Sequence, residues 1–312
     1  MKRMLAVMAI AVALVPAGCG KSQSARGTIG VSVLTMTNPF FCDMVETMKQ
    51  EAAKHNFTLI PFAGEYDVAR QKDQIDDFIA KQVDAIILCP CDSKAIGTSI
   101  TEANKAGIPV FTADIACLAD GCKIACHVAS DNEGGGREAA KAMVEALGGT
   151  GKVAILDFPE VESVLMRTKG FREEIAKTPA IEIVAAPSGG GDKKKSSDAT
   201  EDLLQSHPEL DGIFATNDPS ALGAVAAVEK ANKAGRIKIV GFDAMPEGRQ
   251  GVKQGKLYAT ITQDPRKIAR TAIDAVARYL DGELVEPQML IPCTIYRQAD
   301  ADADPTLAGT QP

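Results

Sequence analysis

Residues 28–55 read TIGVSVLTMTNPFFCDMVETMKQEAAKH and join two kinds of element. The short apolar run Ile29–Leu34 predicts a buried strand, because its residues are mostly aliphatic and polar residues follow it. The segment Pro39–His55 predicts a helix that opens on a proline, where the missing N–H is tolerated. A strand that leads directly into a helix indicates the first half of a βαβ unit.

The same alternation of short apolar runs and amphipathic segments continues along the chain. Further predicted strands cover residues 57–62, 85–88, 109–112, 153–158, 181–185, 212–215, 237–241, 257–262 and 289–296. Predicted helices cover residues 68–82, 95–105, 135–147, 164–177, 198–206, 221–234 and 266–280. This order is typical of the α/β class with parallel sheets, and the two consecutive runs of βα units predict two lobes.

Length and charge limit the possible functions. The chain has 312 residues, which is enough for two domains with separate cores. Its formal net charge of −7 argues against a nucleic-acid partner, because phosphate binding needs clustered Lys and Arg side chains.

The N-terminus has the pattern of an export signal. Two basic residues precede the apolar run Met4–Val15, which is too short to span a bilayer, and small residues follow just before Cys19. We expect residues 1–18 to be a signal peptide, Cys19 to be lipidated and residues 19–27 to form a tether. Export without lipidation is the alternative. Either reading places the protein in the periplasm or cell envelope.

Polar side chains follow the carboxyl ends of the predicted strands or open the next helix. Ligands bind at this edge of parallel sheets, so these residues are candidate ligand contacts. Amide, carboxylate and guanidinium groups suit a polyol, and aromatic rings suit the C–H face of a sugar. The candidates are Asn38, Phe40, Phe41, Asp114, Arg167, Asn217, Asp243 and Gln263. The alternative for each Asp or Asn is that it only caps a helix.

Several motifs make the chain resemble the periplasmic sugar-binding proteins of the ribose-binding type. They are Thr37-Asn38-Pro39-Phe40-Phe41, Ile108-Pro109-Val110 with Asp114, Ala129-Ser130-Asp131-Asn132, Arg167-x-x-Gly170-Phe171, Ala215-Thr216-Asn217-Asp218, Val240-Gly241-Phe242-Asp243 and Thr260-Ile261-Thr262-Gln263. The resemblance implies that the eight candidate residues contact a sugar. It also implies two Rossmann-like lobes joined by three crossover segments, the type I periplasmic binding protein fold.

This division sets the expected domain boundaries. The N-terminal lobe is expected to span residues 28–130 plus 264–291, and the C-terminal lobe residues 131–263 plus 292–297. The segment 298–312, rich in Ala, Asp and Pro, is expected to be a mobile tail.

The chain departs from the ribose-type pattern at three positions. Ile115 stands where that pattern has Arg, Cys89 stands where it has Asn, and Gly191 falls where it has an aromatic residue. These changes argue against ribose itself while leaving a small polar solute as the class of ligand.

The chain has eight cysteines. With Cys19 lipidated, seven would remain, and export would allow at least one disulfide among them. Buried free thiols, or a metal held by Cys117, Cys126 and His127, are the alternatives.

The sequence favours a binding protein over an enzyme. None of its three histidines is paired with a nucleophile motif, and we expect neither cofactor nor metal. The expected function is capture of a monosaccharide by a monomer and its delivery to an ABC permease. The alternative is a ligand-sensing subunit for a membrane receptor or sensor kinase. A transcriptional regulator would need a helix-turn-helix segment where the export signal stands.

Overall fold

The computed structural model describes residues 25–307. Its strands are β1 (Gly27–Val33), β2 (Phe57–Ala63), β3 (Ala85–Leu88), β4 (Val110–Ala113), β5 (Ile124–Ser130), β6 (Gly151–Leu156), β7 (Ile181–Ala185), β8 (Gly212–Ala215), β9 (Lys238–Asp243), β10 (Ala259–Thr262), β11 (Gln288–Ile291) and β12 (Ile295–Tyr296). The helices are α1 (Pro39–Lys54), α2 (Val68–Ala80), α3 (Gly97–Lys105), α4 (Asn132–Leu147), α5 (Glu162–Ile175), α6 (Lys193–Ser206), α7 (Asp218–Lys230), α8 (Pro246–Lys253), α9 (Pro265–Leu280) and α10 (Gln298–Ala303). A 3-10 turn follows at Pro305–Leu307.

The strands form two six-stranded sheets. The first sheet has the order β11-β5-β4-β3-β1-β2, and the second has the order β12-β10-β9-β8-β6-β7. All neighbours pair in parallel except β10 and β12, which are antiparallel. Helices flank both sheets, so the predicted α/β class with two parallel lobes is confirmed.

The chain passes between the sheets three times, at the points where β5, β10 and β11 end. Helix α9 packs on α1 and β5, so the chain returns to the first sheet after completing most of the second. This sheet membership supports the boundaries 28–130 plus 264–291 and 131–263 plus 292–297, which we keep as our proposed division into lobes.

Asx caps begin the helices that follow several strands. The side chains of Asp67, Asp131, Asp192 and Asp264 each accept hydrogen bonds from backbone N–H groups of the first helical turn. These caps satisfy donors that the helix leaves unpaired, and they fix where each helix starts relative to the sheet edge.

Helices α4 and α5 lie close together because a glycine of each helix faces the backbone of the other helix. A Cβ atom on Gly170 would stand 2.0 Å from the carbonyl oxygen of Glu133, and one on Gly136 would stand 2.1 Å from that of Arg167. Phe171, the next residue of α5, stacks on Phe214 with ring centroids 4.4 Å apart. The Arg-x-x-Gly-Phe motif therefore places the first turns of α5 against the sheet.

The C-terminal segment corrects one expectation. Residues 298–307 form α10 and the 3-10 turn rather than the start of a mobile tail, and Ala301 and Leu307 are buried. Asp304 accepts a hydrogen bond from the hydroxyl of Tyr296 at 2.8 Å. These apolar and polar contacts hold the segment on the second lobe.

Further findings concern the termini, the cysteines and membrane-spanning helices. The signal peptide (1–18), Cys19, most of the tether (19–27) and residues 308–312 lie outside the described residues. The seven described cysteines are all free thiols, so the expectation of a disulfide among them is not met in this structure. Within residues 25–307, no helix has the length and apolar character needed to span a bilayer.

Candidate functional site

The two lobes face each other across a cleft whose far edge is closed by direct hydrogen bonds. The N–H of Ser93, in the first lobe, donates to the carbonyl oxygen of Glu160 at 2.9 Å. The N–H of Glu162, at the start of α5, donates to the Ser93 hydroxyl at 2.9 Å. On the hinge side, the Ser130 hydroxyl donates to Oε1 of Gln263 at 2.7 Å. The lobes thus enclose a cavity between the two edges.

The first turn of α1 supplies an amide and two aromatic rings to this cavity. Oδ1 of Asn38 caps the helix by accepting from the N–H of Phe40 at 2.9 Å. Because the cap uses only the amide oxygen, the NH2 group is left to donate elsewhere. The rings of Phe40 and Phe41 meet edge to face, with centroids 5.2 Å apart, and both line the cavity.

Asp114 follows β4 and presents a carboxylate from the first lobe. Its backbone is left-handed (φ 64°), which turns the side chain away from the strand direction, and its N–H donates to the carbonyl oxygen of Val128 at 2.8 Å. Oδ1 of Asp114 is buried and has no hydrogen-bond partner. Burial raises the pKa of Asp114 to about 7, against the opposing effect of the Arg167 guanidinium.

Arg167 of α5 is held in place from several directions. Its Nε donates to Oδ1 of Asn132 at 2.8 Å, and one terminal nitrogen donates to the carbonyl oxygen of Thr216 at 2.7 Å. The guanidinium also lies 4.0 Å above the centroid of the Phe242 ring. The sequence marked Arg167 as a candidate ligand contact, and the structure shows that it also takes part in the packing of the second lobe.

Asp243 ends β9 and presents a second carboxylate, from the opposite lobe. Its Oδ1 accepts from Nε2 of Gln263 at 2.6 Å and lies 3.6 Å from a terminal nitrogen of Arg167. Its Oδ2 is buried without a partner at hydrogen-bond distance, although the Asn38 amide lies close enough to this carboxylate to lower its pKa. Burial raises the pKa of Asp243 to about 6, although Arg167 and the hydrogen bond from Gln263 both lower it.

Asn217 resembles Asn38 in serving a helix and the cavity together. Its Oδ1 caps α7 by accepting from the N–H of Ser220 at 2.9 Å, and its Nδ2 donates to the carbonyl oxygen of Gly191 at 3.0 Å. The capping alternative raised by the sequence is therefore true of Asn38 and Asn217. Since both also line the cavity, capping does not exclude a second role.

All eight predicted residues line this one cavity. Sequence reasoning missed further lining residues that lie on loops or at a helix start, namely Leu34, Tyr66, Phe158, Val161, Ser163 and Val164. Ile115 and Gly191, which the sequence marked as departures, also line it. Three of the described lining residues are charged, namely Asp114, Asp243 and Arg167, so the cavity carries an excess of negative charge when both carboxylates are ionised.

Phe158 corrects one expectation about the cavity wall. The sequence predicted that the second lobe lacks an aromatic residue there, because Gly191 occupies the corresponding position. Phe158 instead reaches the cavity from the loop after β6, and a Cβ atom on Gly191 would stand 3.1 Å from its ring. Tyr66 lies opposite, with ring centroids 6.2 Å apart. The small residue at 191 therefore leaves room for an aromatic from another segment.

Asp218 lies beside the cavity, but both of its carboxylate oxygens already accept hydrogen bonds from other groups of the protein. Its Oδ1 accepts from the Thr260 hydroxyl at 2.7 Å, and its Oδ2 accepts from the N–H of Met245 at 2.8 Å. Burial, followed by the nearby charge of Asp243, raises the pKa of Asp218 well above its ordinary value. This carboxyl group serves to join α7 to the loop after β9.

Side chains that could ligate a metal come together at one place in residues 25–307, remote from the cleft. They are Glu51 and His55 of α1 and Asp274 of α9. Nε2 of His55 and Oδ1 of Asp274 hydrogen-bond at 2.8 Å, and Glu51 pairs with Lys54 at 2.6 Å. These groups are engaged on the surface and contribute nothing to the cavity.

A two-lobed α/β fold with a polar, aromatic-lined cavity at the hinge defines a bilobal solute-binding protein. The chain belongs to the periplasmic binding protein family, whose domain model matches residues 29–284. It is 35% identical over 272 residues to the ribose import binding protein of Bacillus subtilis, covering 87% of each chain. It is 30% identical over 303 residues to the D-apiose import binding protein of Paraburkholderia graminis, covering 96% of each.

Solved structures agree with this assignment. A periplasmic solute binding protein of an ABC transporter from Actinobacillus succinogenes, with bound D-allose, matches with a TM-score of 0.82 at 32% identity. That match covers 89% of this chain and all of the other. A solute binding protein from Agrobacterium vitis, bound with α-D-tagatopyranose, matches with a TM-score of 0.85 at 28% identity, covering 91% of this chain and 98% of the other. The resemblance to periplasmic sugar-binding proteins and their fold is thereby confirmed.

Proposed function

We propose that this chain captures a monosaccharide, or a closely similar polyol, between its lobes and delivers it to an ABC permease. The observation that carries the proposal is the pair of unpaired carboxylate oxygens, Oδ1 of Asp114 and Oδ2 of Asp243, which face one cavity from opposite lobes. A buried acceptor without a donor is costly, and ligand hydroxyls would supply the missing donors.

The rest of the lining fits the same ligand class. Arg167, Asn38 and Asn217 carry N–H donors, and Phe40, Phe41 and Phe158 offer flat apolar faces to ring carbons. One relative is named a ribose import binding protein, another is named a D-apiose import binding protein, and a structural neighbour holds D-allose. These names support a neutral sugar as the ligand of this chain.

Binding at a site shared by two lobes favours the closed arrangement. A ligand that contacts Asp114 in one lobe and Asp243 in the other stabilises the state in which both are near. The closed surface is then what a permease would recognise. This role requires no catalytic step, and solute-binding proteins form the family to which the chain belongs.

Family membership indicates a periplasmic location. Within it, we propose that Cys19 carries a lipid anchor after removal of residues 1–18, and that the protein acts as a monomer. Mass spectrometry of the protein recovered from membranes tests the anchor, because lipidation adds acyl chains to an N-terminal Cys19. An intact mass that corresponds to a chain without lipid, starting at another residue, would contradict the lipid anchor.

A thermal-shift screen over sugars and polyols tests the proposed ligand class. A ligand present at 100 times its Kd stabilises the native state by about 2.7 kcal/mol, which raises the melting temperature by several degrees. Calorimetry with the best ligand should then show weaker binding for Asp114→Ala and Asp243→Ala. The exposed Asp73→Ala is the matched control and should bind as the wild type does. A protein that no sugar or polyol stabilises would contradict the proposal.

A further inference from the structure

Ile115 forms part of the cavity wall directly beside Asp114. Its side chain is 1% exposed and belongs to the same continuous apolar cluster as Val161 and Val164 of the opposite lobe. The hydrogen bonds of Ser93 with Glu160 and Glu162 hold the start of α5 against this part of the first lobe. In the closed arrangement these bonds keep Ile115 near the two valines without involving any ligand atom.

This side of the cavity has few polar groups. Besides Asp114, α5 brings Ser163 to this part of the lining, and the guanidinium of Arg167 on the same helix is close enough to lower the pKa of Asp114. Oδ1 of Asp114 needs one donor, which a single ligand hydroxyl can satisfy. A further hydroxyl directed at the hydrocarbon of Ile115, Val161 or Val164 would be buried against groups that offer no hydrogen bond, which weakens binding.

The second lobe supplies most of the polar groups of the lining. Asp243, Gln263 and Asn217 lie there at the ends of strands of the second sheet or at a crossing, and Arg167 lies next to Asp243. A ligand that fills the cavity therefore meets these hydrogen-bonding groups and, where it reaches Ile115, Val161 and Val164, hydrocarbon.

We propose that the ligand carries one hydroxyl at Asp114 next to a carbon that bears none, as in a deoxy sugar, and that Ile115 determines this specificity. The inference rests on the proposed function, since it concerns which member of the sugar class binds. A methylene or methyl group beside Ile115 would pack on the aliphatic wall, and burial of its apolar surface favours binding. A hydroxyl at the same place would lose its contacts with water.

Matched pairs of sugars test the proposal. Calorimetry on the wild-type protein would compare D-ribose with its 2-, 3- and 5-deoxy forms, and D-allose and D-galactose with their 2-, 3- and 6-deoxy forms. We expect at least one deoxy form to bind about 5–150-fold more tightly than its parent sugar. Tighter binding of the parent in every pair would overturn this inference while leaving the proposed function standing. If no sugar binds at all, the proposed function fails, and this inference with it.

Two nearly isosteric variants then assign the preference to residue 115. Ile115→Thr places a hydroxyl on the wall, whereas Ile115→Val is its matched control with a methyl group in that place. The ratio of deoxy to parent affinity should fall about fivefold or more in Ile115→Thr and stay near the wild-type value in Ile115→Val. Equal ratios in both variants would overturn the role of Ile115. The wild-type comparison decides the ligand class even if Ile115→Thr does not fold.

Discussion

The side-chain amide of Gln263 donates a hydrogen bond to Oδ1 of Asp243 over 2.6 Å. The other end of the same amide accepts from the hydroxyl of Ser130 over 2.7 Å. Ser130 ends β5 at one crossing between the lobes, and Gln263 lies at another. A carboxylate of the proposed ligand site is therefore tied through one side chain to two of the segments about which the lobes would turn.

Replacing Gln263 should weaken binding by disturbing both ends of this link. In Gln263→Ala, Oδ1 of Asp243 and the Ser130 hydroxyl each lose a partner, and we expect a loss of about 1–3 kcal/mol in ligand binding, or 5–150-fold in Kd. Calorimetry with the ligand found in the thermal-shift screen measures it. The exposed Gln50→Ala is the control, and a Kd for Gln263→Ala equal to that of the control would refute the link.

Arg167→Ala should reduce both binding and stability. The substitution removes a donor from the cavity. It also leaves Oδ1 of Asn132 and the carbonyl oxygen of Thr216 without the hydrogen bonds that Arg167 donates to them. We expect urea denaturation to show a loss of roughly 2–5 kcal/mol, because a buried charged group with several partners is lost. Arg172→Ala, on the exposed side of the same helix, should leave both properties unchanged. Full stability with lost binding would show that Arg167 serves the cavity alone.

The closed, ligand-free protein should become less stable as pH rises through the range 4–7. Burial raises the pKa of Asp114 to about 7, so the closed native state binds more protons in this range than the unfolded chain does. Stability therefore falls as pH increases, until both states are ionised. Asp114→Asn should remove the part of this dependence that Asp114 contributes, leaving the parts due to Asp243 and Asp218, and should stabilise the ligand-free protein above pH 7 by on the order of 1–4 kcal/mol.

Denaturation of the wild type and Asp114→Asn at pH 5 and pH 8 measures the effect. Asp73→Asn is the control for loss of an exposed carboxylate. If the difference in stability between the wild type and Asp114→Asn is the same at pH 5 and pH 8, the prediction is wrong. Asp114 would then be hydrated in the ligand-free state, as it would be if the cleft stands open.

Gly170→Ala should destabilise the second lobe through backbone contact. Its new Cβ would lie 2.0 Å from the carbonyl oxygen of Glu133, so α5 must move away from α4. Overpacking of this kind costs about 1–3 kcal/mol, and Arg167 on the same helix should shift as well. Gly235→Ala shows the other kind of cost, because its φ of 76° is strained for alanine while no atom lies within 4 Å, whereas Gly170 is a helical glycine without positive φ. An unchanged stability of Gly170→Ala would show that α5 can move away from α4 without cost.

Ser93→Ala should shorten the time that ligand stays bound. The variant removes the hydroxyl that accepts from the N–H of Glu162, which is worth about 1 kcal/mol to the closed state. Stopped-flow measurement should show a several-fold faster dissociation rate with little change in association. The exposed Ser206→Ala is the control. An unchanged dissociation rate would mean that the Ser93 hydroxyl contributes nothing to holding the lobes together.

Much of the fold and part of the site could be predicted from the sequence. Residues such as Asp114 and Asp243 could be found because they follow continuous apolar strands, and the sheet edge where ligands bind is fixed by strand direction. Strand β5 was missed as a separate strand because its seven residues, IACHVAS, mix apolar and polar side chains. Helix α8 was missed because PEGRQGVK has two glycines and few apolar residues.

The missing cavity residues lie where local sequence carries little information. Tyr66 sits in a left-handed conformation (φ 62°) in the loop after β2, and Phe158 lies in the loop after β6. Neither position belongs to a periodic pattern, so only the packing of distant segments brings the two rings to the cavity. The order in residues 298–307 likewise depends on contacts with α8 and Tyr296 that no local pattern shows.

The bonds between Ser93 and the loop before α5 have a consequence for any partner of the closed form. They involve the backbone N–H and the hydroxyl of Ser93 and backbone groups of Glu160 and Glu162, and none of these atoms belongs to the ligand. Every ligand that lets the lobes meet would produce the same outer surface. A membrane partner that docks on that surface would detect whether the protein is loaded, but not with which molecule, so discrimination between solutes would rest with the cavity.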